Sequence, residues 1–238
     1  MSQWTAKILT TLPNLYHNFF QQSLYKKSID SGIWQYKVYN IKNNKINHSF
    51  PIDDKPYGGG NGMILKPDIA AKAINDFFYQ NDKIFYLSPR GTRLTQSKIK
   101  TIVKTQETLN LLCTRFEGID ERIIIKYQIQ EISLGDFILT NGDIAALAFI
   151  DACLRHLPGF FNKKNVHQEE SFGCGIYKNL LEYPHYTTPN TWYKYKVPKV
   201  LLSGHHKKIS KWRMTMAKKT TRTRRKDLWY KYIEKHQQ

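Results

Sequence analysis

The chain has few cysteines, few acidic residues and no long apolar runs. Its three cysteines, Cys113, Cys153 and Cys174, lie far apart and form no CxxC pair. This argues against a disulfide scaffold or a zinc ribbon and for a reducing compartment. No apolar run approaches the ~18 residues of a membrane span, and the N-terminus lacks the charged start and apolar core of a signal peptide. We therefore expect a cytoplasmic protein without a membrane partner.

Acidic residues number 19 against 37 lysines and arginines, which gives a net charge of +18 over 238 residues. The excess is concentrated near the C-terminus, because residues 193–238 hold fifteen basic and two acidic residues. Such a segment predicts a polyanionic partner, with nucleic acid favoured over an acidic membrane surface. The length suits one large domain or two small ones.

Short apolar runs alternate with helical patterns over residues 1–159. This alternation favours an α/β domain with a mostly parallel sheet. Thr95 is a candidate helix cap, because its hydroxyl directly precedes a helical pattern. Residues 160–172 form a polar linker, and residues 173–238 are basic and helical in pattern. The predicted strands are residues 6–12, 33–41, 83–88, 108–113 and 128–134; the predicted helices are residues 14–32, 67–79, 95–105, 118–127 and 142–159.

A glycine-rich loop, "DKPYGGGNGM", occupies residues 54–63. It is neither a P-loop nor a dinucleotide fingerprint, because GxxxxGK[ST] and a complete GxGxxG are both missing. The metalloprotease, nucleophile-elbow and kinase signatures are also missing. Two explanations of the glycines remain open at this point: a tight turn at positive φ, or a backbone that approaches a ligand closely.

Seven segments, taken in order, resemble the bacterial tRNA (guanine-N1)-methyltransferases of the SPOUT class. The resemblance covers about residues 8–225, nearly the whole chain. The segments are "DDKPYGGGNGM", "YLSPRGTRLTQ", "CTRFEGIDERI", "EISLGDFILTNGD", "FIDACLRHLPG", "YPHYTTP" and "VPKVLLSGHHKKISKWR".

The resemblance implies a SPOUT-type knotted parallel-sheet domain in residues 1–159, which binds S-adenosylmethionine. It further implies a flexible linker or lid in residues 160–172 and a small basic helical domain in residues 173–238, which binds tRNA. The implied protein is a homodimer with active sites at its interface. It methylates N1 of the guanosine immediately 3′ of the tRNA anticodon. Magnesium is a possible cofactor, although the sequence contains no dedicated metal site.

The resemblance also implies the catalytic residues. Glu170, where the family has aspartate, would be the base that removes the N1 proton, with neighbouring Glu169 as the alternative. Arg155 would stabilise the charge that develops on O6; an i,i+4 pair with Asp151 is its structural alternative. The implied substrate-binding residues are Glu117, Asp120, Gly58, Gly59 and Gly60.

The cofactor contacts implied by the resemblance are mostly backbone groups. Thr114 replaces a family glycine, so its β-branch puts cofactor affinity in question. Phe116, Asn141 and Asp143 are further departures from the family pattern, and the segment after Ser171-Phe172 is longer than in the family. These differences motivate an alternative, a non-catalytic RNA-binding descendant. The implied contact residues are Tyr86, Leu87, Ser88, Pro89, Gly91, Thr114, Leu134, Gly135, Asp136, Phe137, Ile138, Leu139 and Gly142.

Three tryptophans of the C-terminal region have two possible roles. Trp192, Trp212 and Trp229 could stack on bases, but we expect them to belong to the core of the small domain. For Trp212 this expectation rests on its helical spacing with Ile209 and Met216.

Overall fold

The computed structural model describes residues 3–44, 51–115, 117–161, 169–173 and 175–236. Phe116, Cys174 and most of the expected linker lie outside these ranges. The chain divides into two compact units, residues 1–162 and 163–238. Within the described ranges, no helix has both the length and the apolar character that crossing a membrane requires.

A five-stranded sheet forms the centre of the first unit. Its order is β2-β1-β6-β5-β7, and every neighbouring pair is parallel, which confirms the predicted α/β class. β3 and β4 form a separate antiparallel pair. The strands are β1 (Trp4–Thr10), β2 (Trp34–Asn40), β3 (Asp53–Asp54), β4 (Ile64–Leu65), β5 (Ile84–Arg93), β6 (Thr108–Leu112) and β7 (Gln130–Ser133).

The helices of the first unit follow the predicted alternation, with one clear difference. The single helix predicted over residues 14–32 is wrong, because the chain is extended at Gln22 and Ser23 has a φ of +43°. Thr95 accepts a hydrogen bond from the backbone N–H of Lys98, which confirms it as a cap. The helices are α1 (Pro13–Phe20), α2 (Ser23–Asp30), α3 (Pro67–Phe77), α4 (Gln96–Thr105), α5 (Glu121–Lys126) and α6 (Gly142–Leu154).

The core lies on both faces of the sheet, because successive strand residues point in opposite directions. Ile8 and Phe85 pack on one face with residues of α1, α4 and α6. Leu9 and Ile84 pack on the other face with residues of α3 and α5. With both faces covered, the carboxyl edge of the sheet is where a parallel sheet of this kind binds ligands.

In the described part of the second unit, two α-helices contribute to a small core, and two short strands form an exposed hairpin. Trp212 and Trp229 pack against that core, which confirms this part of the prediction. The expectation for Trp192 is wrong, because its side chain is 63% exposed on the hairpin. The elements are β8 (Thr191–Trp192), β9 (Tyr195–Lys196), α7 (His206–Arg224) and α8 (Lys226–His236); the buried core residues are Tyr177, Leu180, Tyr183, Ala217 and Tyr232.

Candidate active site

The middle of β5 and the loops after β6 and β7 line a cavity of about 250 Å³. These three strands are neighbours in the sheet, so their carboxyl ends meet at one edge. Eleven of the thirteen predicted cofactor residues line the cavity; Gly91 and Asp136 do not. The lining residues are Tyr86, Leu87, Ser88, Pro89, Arg90, Thr114, Glu117, Gly118, Ile132, Ser133, Leu134, Gly135, Phe137, Ile138, Leu139, Asn141, Gly142 and Ala145.

Thr114 and Tyr86 form a buried hydrogen-bonded pair in the wall of this cavity. Their hydroxyl oxygens lie 3.0 Å apart, and the carbonyl of Thr114 accepts a hydrogen bond from the N–H of Gly142. Burial raises the pKa of the Tyr86 phenol. The Thr114 side chain therefore has a specific polar partner, and its β-branch does not prevent the loop from reaching α6.

Gly91 lies where β5 and β7 approach each other closely. A Cβ atom at this position would be 2.3 Å from the backbone nitrogen of Ile132. The pairing of β5 with β7 is irregular at this point, between Leu87 and Thr92. Glycine is therefore required here by strand packing, whatever its relation to a ligand. Asp136, the other predicted residue outside the lining, is exposed.

The start of α6 explains the two departures at Asn141 and Asp143. The side chain of Asn141 caps the helix by accepting hydrogen bonds from the N–H groups of Asp143 and Ile144. Asp143 is fully buried, and its Oδ1 atom accepts hydrogen bonds from Thr10 and Tyr16. Its Oδ2 atom is buried and has no hydrogen-bond partner among the described residues. Burial raises the pKa of this carboxyl group, although hydrogen bonds from Thr10 and Tyr16 act in the opposite direction.

The glycine-rich loop runs beside Glu117, which lines the cavity. The N–H of Glu117 donates to the carbonyl of Met63, and the N–H of Leu65 donates to the carbonyl of Gly118. A Cβ atom at Gly62 would be 2.4 Å from the Glu117 side chain. Gly62 is thus a close-approach position that the sequence analysis missed.

The three consecutive glycines of the loop all have positive φ. Gly58, Gly59 and Gly60 have φ values of 84°, 81° and 123°. In the part of the chain that the structure describes, a Cβ atom at Gly58 or Gly59 would have no heavy atom within 4 Å. Backbone conformation alone therefore accounts for these glycines in a single chain, and their contact with a substrate stays a prediction.

Asp120 has a structural role at the start of α5. Its side chain accepts a hydrogen bond from the N–H of Arg122 and binds the guanidinium group of Arg122 at 2.7 and 2.8 Å. The hydrogen bond from Arg122 lowers the pKa of the carboxyl group. These contacts already explain an aspartate at this position.

Arg155 is the C-cap of α6 and lines a second cavity of about 260 Å³. Its guanidinium carbon lies 4.9 Å from the centre of the Phe161 ring. Asp151 lines the same cavity, and its Oδ1 atom accepts a hydrogen bond of 2.8 Å from the phenol of Tyr25. Burial and this hydrogen bond raise the pKa of Tyr25 to about 12. Among the described residues, Arg155 and Asp151 are not part of the first cavity's lining.

The two candidate bases lie in the second unit. The Oε2 atom of Glu169 accepts a hydrogen bond of 2.6 Å from Tyr183 and forms an ion pair of 3.1 Å with Arg213. Glu170 is half-buried, and its carbonyl accepts a hydrogen bond from the N–H of Gly173. Glu169 is therefore engaged by side chains of its own unit.

Residues next to Glu170 are also fixed within the second unit. The hydroxyl of Ser171 accepts a hydrogen bond of 2.9 Å from the N–H of Glu182. The N–H of Phe172 donates to the carbonyl of Leu180. These two hydrogen bonds hold the turn that carries Glu170 against residues 180 and 182.

Comparison with known proteins decides the family. The family model described as tRNA (Guanine-1)-methyltransferase TrmD matches residues 5–231. A tRNA (guanine-N(1)-)-methyltransferase of Pelagibacter ubique is 42% identical over 96% of this chain and 98% of its own length. Proteins of the same name from Ruegeria sp. and Wolbachia pipientis wMel are 43% and 41% identical, over 96% and 94% of this chain and 93% and 95% of their own lengths. The chain belongs to the tRNA (guanine-1)-methyltransferase family.

The structure of this family member adds residues to the candidate site. Arg90 lines the first cavity and bridges Glu121 and Glu131, at 2.9 and 3.1 Å. Gly118 also lines it, and a Cβ atom there would be 3.0 Å from the Tyr86 phenol oxygen. Both residues lie inside segments on which the family resemblance rests. The resemblance was therefore the sequence signal that could have identified them.

Proposed function

We propose that this chain transfers a methyl group from S-adenosylmethionine to N1 of the guanosine immediately 3′ of the tRNA anticodon. The observation that carries the proposal is the cavity lined by the middle of β5 and by the loops after β6 and β7, in a chain that belongs to this family. We assign cofactor binding to residues 1–159, a lid to residues 160–172 and tRNA binding to residues 173–238. The loops around the cavity would form the trefoil knot of the SPOUT class.

The lining of the first cavity fits S-adenosylmethionine. Leu87, Leu134 and Leu139 offer apolar walls to an aromatic ring, and Gly135 and Gly142 let backbone groups approach a ligand. When bound, the cofactor supplies an electrophilic methyl group attached to a sulfonium sulfur, and that sulfur becomes a neutral thioether once the methyl group is transferred. The chain itself must bind and orient the guanine and remove its N1 proton.

We assign the proton transfer to Glu170. We prefer Glu170 because it directly precedes Ser171-Phe172, which is where the family resemblance places the base. The contacts of Glu169 with Tyr183 and Arg213 give Glu169 an anchoring role. The carboxylate of Glu170 would accept the proton from N1, which leaves the N1 lone pair free to form the new bond to the methyl carbon. Glutamate does the same chemistry as the family's aspartate through one additional methylene group.

We assign Arg155 to O6 of the guanine. Removal of the N1 proton places negative charge on O6, and a guanidinium donor stabilises that charge. The ring of Phe161 beneath the guanidinium group restricts its orientation. The Glu117 carboxylate, at the wall of the first cavity, would accept hydrogen bonds from the N–H groups of the guanine edge. Gly58, Gly59, Gly60 and Asp120 would shape the surroundings of the same edge.

We further propose a homodimer whose active sites combine residues of both chains. Two observations support this proposal. Arg155 lines a different cavity from the cofactor residues within one described chain. Ile138, at the rim of the first cavity, is 80% exposed, and Phe137 and Ile144 are also exposed; such apolar surface is typical of an interaction site.

The proposal does not depend on a metal ion. Within the described ranges, no group of three or more His, Cys, Asp or Glu side chains is arranged to hold one. No step of the proposed reaction is therefore assigned to the described residues acting through a metal, and magnesium stays a possible cofactor. A tRNA substrate implies a cytoplasmic location.

Transfer of labelled methyl from S-adenosylmethionine to tRNA transcripts tests the function. One transcript carries guanosine after the anticodon, and the control carries adenosine there. We expect transfer to the first transcript only, with the product identified as N1-methylguanosine. Tight binding of both transcripts without transfer to either would instead support the non-catalytic RNA-binding descendant.

A further inference from the structure

The hairpin of β8 and β9 exposes three aromatic rings. Trp192, Tyr193 and Tyr195 are 63%, 83% and 63% exposed. Trp192 and Tyr195 are directly opposite in the strand register, so their side chains leave the same face of the hairpin. The ring of Tyr193 lies edge-on to Trp192, with centroids 5.0 Å apart. The hairpin therefore presents a cluster of flat apolar surfaces to solvent.

Positive charge accompanies this cluster. The ammonium group of Lys194 lies 5.8 Å from the centre of the Tyr195 ring, and exposed Lys196 follows directly. The wider segment 193–238 holds fifteen basic and two acidic residues. Aromatic faces beside ammonium groups match the two components of a nucleotide, since the base can stack and the phosphate can pair with lysine.

The turn of the hairpin contains a strained residue. Tyr193 has a φ of +51°, a conformation that glycine or asparagine adopts at lower cost in a two-residue hairpin turn. A bulky aromatic residue in this conformation is therefore unfavourable for the stability of the turn. Strain of this kind is often found at functional positions. The strained backbone and the exposed ring together therefore favour a functional role for the Tyr193 side chain.

We propose that this hairpin is a stacking platform for an unpaired nucleotide of the tRNA, outside the target guanosine. The proposal rests on the proposed function for the identity of its partner. The charge of the segment favours a nucleic acid over a neutral protein surface. Base stacking is sequence-tolerant, so the platform would contribute affinity and position rather than choice of base.

Direct binding measurements test the platform with the tRNA transcript that carries guanosine after the anticodon. We expect Trp192→Ala to raise the Kd roughly tenfold and to leave turnover at saturating tRNA unchanged. Tyr230→Ala is the matched control, because Tyr230 is 58% exposed in the same unit but lies on α8. Its Kd should equal that of the wild type. S-adenosylmethionine affinity should be the same in all three proteins.

Tyr193→Gly separates binding from folding. Glycine relieves the positive φ, so we expect an equal or higher Tm together with weaker tRNA binding. A wild-type Kd in both Trp192→Ala and Tyr193→Gly would overturn the proposal. An equal loss of tRNA affinity in Tyr230→Ala would also overturn the proposal, because loss of any exposed aromatic ring in this unit would then weaken tRNA binding.

Iodide quenching provides an independent readout. Trp4 and Trp34 are buried, and Trp212 and Trp229 pack against the core, so quenching reports mainly on Trp192. We expect tRNA to protect the fluorescence. Protection that depends on protein concentration without RNA would assign the hairpin to a contact between two copies and overturn the proposal. Neither the binding measurement nor the quenching measurement requires methyl transfer. Failure of the proposed methyltransferase activity can therefore be told apart from failure of the hairpin to bind tRNA.

Discussion

Tyr25 donates a hydrogen bond of 2.8 Å to Asp151, which joins α2 to α6 one helical turn before Arg155. Tyr25→Phe removes the donor and leaves the carboxylate with one partner fewer. We expect the free energy of unfolding to fall by about 1 to 3 kcal/mol, and turnover to fall several-fold with unchanged S-adenosylmethionine affinity. Tyr36→Phe is the control, since Tyr36 bonds to His17 on an exposed surface. Wild-type turnover in Tyr25→Phe would show that the bond only supports folding.

Arg155 is expected to act on the reaction rather than on RNA binding. Arg155→Ala should lower kcat by about 10²-fold, the usual effect of removing a donor to a developing oxyanion. The Kd for tRNA should change little, because Arg155 is one of 37 lysines and arginines that give the protein its positive charge. Arg155→Lys should recover part of the loss. Single-turnover methyl transfer and filter binding measure the two quantities, and unchanged kcat in Arg155→Ala would assign Arg155 a structural role.

Glu169 and Glu170 are expected to respond differently to the same isosteric substitution. Glu170→Gln cannot accept the N1 proton, so most methyl transfer should be lost while the Tm is retained. Glu169→Gln keeps a hydrogen-bond acceptor for Tyr183 and weakens only the ion pair with Arg213, so its loss of activity should be much smaller. Equal losses, or a loss confined to Glu169→Gln, would reject Glu170 as the base.

Thr114 is expected to stabilise the cavity through Tyr86. Thr114→Val removes the hydroxyl at nearly constant volume and should lower the free energy of unfolding by about 1 to 2 kcal/mol, because the buried Tyr86 phenol loses its partner. Thr114→Gly introduces the residue that the family resemblance implies at this position; it should be at least as destabilising and should not tighten S-adenosylmethionine binding. Urea denaturation and titration calorimetry measure both effects. Tighter cofactor binding by Thr114→Gly would show that the β-branch does crowd the site.

Asp143 should make stability depend on pH. Burial raises the pKa of its carboxyl group above the ordinary value of 3.8. A group with a raised folded-state pKa contributes stability below its unfolded-state pKa, and that contribution is lost as the pH rises through the folded-state pKa. The stability of the wild type relative to Asp143→Asn should therefore fall as the pH increases from about 4. Urea denaturation of both proteins across this range measures the difference; a constant difference would contradict the raised pKa.

Local sequence signals predicted those elements whose stabilising contacts are themselves local. The alternation of strands and helices indicated the parallel sheet, Thr95 marked the start of α4, and the spacing of Trp212 indicated its packing. The break between α1 and α2 was missed. The residues on either side of Ser23 have helical patterns, whereas contacts such as that between Tyr25 and Asp151, 126 residues apart, orient α2.

The sequence by itself determined the class of fold, the concentration of positive charge and the family, because each of these is written in residue order and composition. Only the tertiary structure decided that Gly91 is required by the close approach of β5 to β7. It likewise decided that Asp143 is buried against Thr10, 133 residues away, and that Trp192 is exposed. The physical reason is that burial, hydrogen bonding and close packing depend on which distant segments meet in space. Local propensity does not contain that information.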